Sequence, residues 1–206
     1  MYFTSLPDHQ KPGFDEERHF KQFKQHNIVF NATAVRRHHV RHAGCLSVKI
    51  ILSGEEWYTI DNRQLAVRPG QFLILNDAQD YFCRVETAGD VRIQSVFFKT
   101  AFASSVFRDV LSGEEALLND PFRSGEQSLE FFQTLYEMDA GLQEKMARLI
   151  ASLDACGYDS NWMDEQLIFM LHHLISTYKT EARRAYRVSA VKPSTKKEIY
   201  KRLCIA

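Results

Sequence analysis

The sequence predicts a mainly β chain with helices at its end: an antiparallel sandwich or barrel, then an antiparallel helical hairpin. Three observations predict it. Short alternating runs separated by turn pairs fill Cys45 to Val85. Apolar residues at helical spacing fill two segments after Asp139. Between these regions the hydrophobic period changes from two to 3.6, with few turn residues inside either helical segment.

Residues 1 to about 24 are polar and turn-rich, with Pro7, Pro12 and Gly13, and read as an arm or loosely packed lead-in. Ile28-Val29-Phe30 suits a first strand. Leu46, Val48, Ile50 and Leu52 alternate with Ser47 and Lys49, the pattern of a strand with one face in a core. Gly54 breaks it, and Trp57–Ile60 follows. Asp61-Asn62 tolerates positive φ and turns the chain into Leu65–Val67. Pro69-Gly70 leads to Phe72–Leu75, and Asn76-Asp77 to Tyr81–Val85. A turn at 87–90 precedes the strand pattern VRIQSVFFK. Strands this short indicate an antiparallel sandwich or barrel. Residues 101–112 have an amphipathic helix pattern, and Leu129–Tyr136 suits a last strand better than a short helix.

The hairpin is read from its stripes. Leu142, Met146, Leu149, Ile150 and Leu153 share one helix face, and Gly157 suits its stop. Asn161 is the expected cap of a second helix, with Asp164 and Glu165 in its first turn. Met163, Leu167, Met170, Leu174 and Tyr178 form its stripe, widened by Trp162, Phe169, Leu171 and Ile175. That stripe is broader than one core requires, so part of it is expected to meet a second copy of the chain.

Composition narrows the function classes. The chain has 206 residues, 45% of them hydrophobic, with 26 basic and 26 acidic side chains, so overall charge argues neither for nor against a nucleic-acid partner. Cys45, Cys83, Cys156 and Cys204 are widely spaced, which fits reduced thiols in a cytoplasm rather than a disulfide framework. No 18-residue apolar run and no apolar leader occur, so neither secretion nor membrane spanning is expected. His38, His39 and His42 invite a metal reading. On a strand, however, His38 and His42 lie roughly 13 Å apart at ~3.3 Å per residue, too far for one ion. The expectation is no metal and no cofactor.

Beyond Lys179 the charge changes. Nine basic residues face only Glu181 and Glu198, leaving +7 over residues 179–206. Thr195-Lys196-Lys197-Glu198 is a capping-box signature opening a helix after Pro193.

The residues Arg68-Pro69-Gly70-Gln71-Phe72-Leu73-Ile74-Leu75-Asn76, with Gly54 and Tyr58-x-Ile60 before them, resemble the jelly-roll (cupin-like) sensor domain of AraC-type transcription regulators. The run from Ser194 to Ala206 is similar to the first helix of that family's C-terminal DNA-binding module, and the chain ends in mid-pattern there. The resemblance implies three parts: an arm and cupin-like sensor barrel over 1–137, a dimerising helical hairpin over 138–180, and a basic linker with the start of a truncated helix-turn-helix domain over 181–206. It further implies a small-molecule effector, a homodimer, and DNA as a partner through the missing module.

Site expectations follow. A jelly roll with an open mouth offers an apolar cavity with a few polar handles. Leu46, Val48, Ile50, Tyr58, Ile60, Phe72 and Ile74 are its candidate liners, and Tyr58 is the best polar handle because a buried phenol needs a partner. Met163, Leu167, Met170, Leu171, Leu174 and Tyr178 are the candidate dimer residues. Lys196, Lys197, Lys201 and Arg202 are candidate phosphate contacts, which alone give weak, sequence-blind binding. No catalytic residues are expected, since the H-x-H pair of metal-binding cupins and a convergent acid–base set are both missing. The competing classes are a cupin-fold metalloenzyme, such as a dioxygenase or isomerase, and a dimerisation module with no ligand.

Overall fold

A computed structural model describes residues 1–8, 11–34, 39–85, 89–111, 129–189 and 192–203. Its strands are β1 (Tyr2–Phe3), β2 (Ile28–Ala34), β3 (His39–Ala43), β4 (Ser47–Ser53), β5 (Glu56–Ile60), β6 (Arg63–Val67), β7 (Gln71–Leu75), β8 (Asp80–Arg84), β9 (Val91–Phe97) and β10 (Leu135–Glu137). They form two facing sheets, one ordered β1-β2-β9-β4-β7-β10 and the other β3-β8-β5-β6. Among the described strands every pairing is antiparallel except β1 on β2. This is the jelly-roll-like barrel expected of the alternating runs.

The predicted turns occur where their residues permit them. Asp61 and Asn62 have φ of 47° and 65°, which closes the two-residue hairpin between β5 and β6. After β7 the positive φ falls on Ala78 rather than on Asn76 or Asp77. Half of the turn expected at 87–90, residues 87 and 88, lies outside the described residues. Asn76 is occupied elsewhere: its Nδ2 donates to the Phe131 carbonyl at 3.0 Å, and its Oδ1 accepts the Phe131 N–H at 2.8 Å. One side chain thereby satisfies the backbone that a ladder would otherwise satisfy. Strand β10 is correspondingly short, Leu135–Glu137, and overlaps the strand expected over 129–136 only at its last two residues. Phe131 and Phe132 are buried nonetheless.

The six-stranded sheet is buried on both faces, which decides what its side chains do. Val48, Ile50, Phe72, Ile74, Val96 and Phe98 point outward from the barrel into one core with α2 (Thr100–Leu111), α3 (Ala140–Cys156) and α4 (Ser160–Tyr186). Ile51, Leu73, Leu75, Val91 and Ile93 point the other way, into a second core with Tyr58, Ile60, Val67, Tyr81, Cys83 and Val85. The helical hairpin is thus continuous with the outer core of the barrel.

Helix α3 carries its predicted stripe inward, with Asp139 accepting the Leu142 N–H at 2.8 Å. Gly157, at φ 73°, ends it and donates its N–H to the Leu153 carbonyl. The second cap differs from expectation. Asp159, not Asn161, accepts the Trp162 N–H at 2.8 Å, because helix α4 begins at Ser160. The helix also runs to Tyr186, through residues expected as linker, and buries Glu181 and Ala185 on the way. Helix α5 (Pro193–Leu203) starts with proline, two residues before the expected cap; its missing N–H is harmless in a first turn.

The N-terminus is more ordered than its composition suggests. Helix α1 (Glu16–Gln25) is capped by Asp15, and Phe23 packs with Ile28, Phe30, Cys45 and Phe97 in a third core that Phe3, Leu6 and Phe20 help to cover. Tyr2 donates its hydroxyl to Asp154 Oδ1 at 2.5 Å, tying the arm to α3.

Candidate functional site

Alternation along β4 places Ser47, Lys49 and Ile51 inside the barrel and Val48 and Ile50 outside it. Lys49 is 3% exposed. Its Nζ lies 3.5 Å from the centroid of the Phe97 ring and 5.4 Å from that of Tyr81. Across the interior, Glu56 is equally buried and Tyr58 donates its hydroxyl to Glu56 Oε2 at 2.5 Å. Cys83 and Ser95 complete the polar lining. The remaining cavity is about 40 Å³, roomy enough for about three water-sized groups. Leu6 and Pro7 of the arm and His19 and Phe23 of α1 also line it, so the lead-in closes the space.

Burial drives Lys49, Glu56, Tyr58 and Tyr81 toward their neutral forms. Desolvation lowers the Lys49 ammonium to about 8, while Cys83, Glu56 and Cys45 partly oppose it. The Glu56 carboxyl is raised by desolvation, against the hydrogen bond from Tyr58 and the charge of Lys49. Tyr58 and Tyr81 are raised well above the ordinary phenol value, and the Cys45 thiol is pushed up to about 12, all chiefly by burial. An isolated buried charge is destabilising, and even a buried pair seldom outperforms apolar packing. Such a group is therefore a candidate for function rather than for stability.

The expected cavity residues divide between two places. Tyr58 and Ile60 lie between the sheets, and Tyr58 has the partner its hydroxyl requires. Leu46, Val48, Ile50, Phe72 and Ile74 do not line the interior; they belong to the helix-covered core. An apolar face is the natural choice for a cavity wall, but a doubly buried sheet gives its more apolar face to the helices. The signal that marks the interior is Lys49 itself, one lysine within an apolar strand, which the search for apolar liners passes over.

The expected dimer residues are also displaced. Met163, Leu167, Met170, Leu171 and Leu174 are 0–2% exposed within a single chain, so they cannot face a partner. Tyr178 is half-buried, with its ring against Phe131 and Phe132 at 5.8 Å each. In the middle of α4 the large apolar side chains left outward are Ile168 and Phe169, at 37% and 52% exposure, and Tyr186 is exposed at its last residue.

Of the expected phosphate contacts, Lys196 donates to the Tyr186 carbonyl at 3.0 Å and Lys197 to the Tyr178 hydroxyl at 3.5 Å. Both fasten α5 to α4. Arg202 is exposed and pairs with Glu198 at 3.0 Å, and the Lys201 side chain lies outside the described residues. Tyr200 completes the attachment, with its hydroxyl on Glu181 and its ring 5.4 Å from Phe132. Beside this seam is a polar groove of about 570 Å³ lined by Glu137, Asp139, His173, Glu181 and Arg184, among others.

Of the histidines in the metal reading, His38 lies outside the described residues; His39 and His42 stand in β3 opposite Arg84 and Tyr81. Among the described residues no group of three His, Cys, Asp or Glu side chains could hold a metal ion, and no helix is long and apolar enough to cross a membrane.

Comparison with known proteins bears on the fold. An apo single-substitution variant of ToxT from Vibrio cholerae superposes with a TM-score of 0.50 at 10% identity, over 74% of this chain and 57% of that one. The two share a fold. Wild-type ToxT with an unsaturated fatty acid bound gives a TM-score of 0.48 at 10% identity, over 74% and 55% of the two chains. A cupin domain of an XRE-family regulator from Enterobacter cloacae is 19% identical, with a TM-score of 0.31, over 42% of this chain and 90% of that one. The present chain therefore spans little more than half the length of ToxT. No known family profile matches the sequence, and no curated protein does.

Proposed function

We propose that this chain is the effector-sensing and dimerisation part of an AraC-type transcription regulator. The observation that carries the reading is the Lys49–Glu56–Tyr58 cluster, enclosed between two sheets beneath the arm and α1. Ionisable groups are placed at a stability cost in a barrel that apolar packing alone could fill. Their closure is made by terminal segments rather than by sheet. A small molecule that displaces Leu6, Pro7, His19 and Phe23, or settles beneath them, would alter how the arm packs.

The shared fold with ToxT, a regulator of the AraC type, supports the same reading, as does the basic helix α5 that begins where a DNA-binding module would. Sequence-specific DNA contact requires a recognition helix in a groove, which α5 in its seat on α4 does not supply. The effector acts in this reading by favouring one arrangement of arm, barrel and α5 over another. A two-fold contact through the outward face of α4, centred on Phe169 and Ile168, would hold two such modules together.

A thermal-shift screen tests the sensing. A ligand at 100 times its dissociation constant adds ~2.7 kcal/mol, which for a chain of this size is about 5–10 °C. A broad screen of small metabolites that moves the midpoint nowhere would leave only the ligand-free dimerisation module.

A further inference from the structure

We propose that Lys49 is a carbonyl-capture site, whose ε-amine forms a reversible imine with a short-chain aliphatic aldehyde held inside the barrel. The inference rests on the reading of the barrel as an effector site and names the class of its ligand.

Three observations lead there. The first is position: Lys49 stands in the middle of β4, its Nζ against the Phe97 ring, with Glu56, Tyr58 and Cys83 lining the same cavity. The second is size. A cavity of about 40 Å³ admits two or three carbons and a carbonyl oxygen, and its Phe97 and Ile93 walls suit an alkyl chain. The third is the choice of nucleophile. Burial holds the amine near 8, so about a quarter is neutral at pH 7.5, against about one in a thousand for an ordinary lysine. The Cys45 thiol nearby, which does not line the cavity, is pushed up to about 12 and has almost no thiolate. The site accordingly prefers an electrophile that condenses with amines.

The chemistry balances without an added oxidant or reductant. The Lys49 nitrogen attacks the carbonyl carbon, forming the C–N bond, and a proton passes from nitrogen to the new hydroxyl. Glu56, held toward its protonated form and bonded to Tyr58, gives a proton to that hydroxyl, which leaves as water. The C=N bond forms, and the iminium proton returns to the Glu56 carboxylate. One aldehyde and one amine give one imine and one water, and hydrolysis reverses each step.

The test is reductive trapping with propionaldehyde and cyanoborohydride on the folded chain at pH 7.5, followed by peptide mapping. Lys49 is expected to acquire a propyl group at least about tenfold faster than the mean of the other lysines. In guanidinium the advantage should vanish, and Lys49→Arg should abolish the fast label in the folded chain. Lys49 labelling no faster in the folded chain than in the unfolded one would overturn the proposal. A parallel thermal shift with propionaldehyde, propanol and propionate separates the two readings. If propanol or propionate raises the midpoint while Lys49 stays unlabelled, the barrel is a sensor and carbonyl capture is wrong. If Lys49 is labelled without any shift, capture stands and the sensing reading falls.

Discussion

The two faces of strand β4 differ in chemistry and in purpose. Outward, Val48 and Ile50 meet the helices in a wholly apolar core that includes Phe72, Ile74 and Leu167. Inward, Lys49 shares the lining of a small cavity with Glu56, Tyr58 and Tyr81. One face gains free energy from area removed from water, at about 25 cal/mol per Å². The other sacrifices some of that gain to keep ionisable groups dry. The more apolar face of a strand is thus the better guide to the core, and an ionisable residue on its other face the better guide to a site.

The largest expected effect breaks the outer face. Leu167→Asp buries an unpaired carboxylate and should cost more than about 4 kcal/mol, so denaturant titration should find the chain largely unfolded. A folded monomer from this variant would return Leu167 to an interface and refute the core assignment. Next, Asn76→Ala should cost about 2–3 kcal/mol, because it leaves the Phe131 N–H and carbonyl without their partner. Loss of under about 0.5 kcal/mol would mean water replaces the amide without penalty.

The inner face should respond with the opposite sign. Lys49→Met should stabilise the fold at pH 7 by about 1–3 kcal/mol, since Glu56 can take up a proton and keep Tyr58 as its partner. The gain has a defined pH window. The folded amine titrates near 8 and the unfolded one near 10.5, so between them the unfolded state binds more protons and the wild type grows more stable as pH rises. The advantage of Lys49→Met should be full below about pH 8 and fade toward 10.5. A flat difference across that window would show that the buried amine is not the cause. The smallest effect on stability belongs to Phe169→Glu, within about 0.5 kcal/mol, because the side chain is half-exposed. If the parent chain forms the proposed dimer, sedimentation should nevertheless find this variant monomeric; an unchanged sedimentation coefficient would move the dimer contact off α4.

Local rules are enough for the elements. Period-2 runs and the Asp61-Asn62 turn specify the central strands, and the helical stripes specify α3 and α4, because these signals lie within a few residues of one another. The buried stripe of α4 is legible as well, and so is the need of Tyr58 for a partner. Tertiary structure alone decides which side of each strand is cavity and which is core, since that depends on where helices far along the chain come to rest. It also places Glu56 opposite Lys49, makes a lid of the arm and α1, seats Lys196 and Lys197 on α4, and assigns Asn76 to the backbone of Phe131. Each of these joins residues on different elements, where no spacing rule within one element operates, and each is settled by how the whole chain packs.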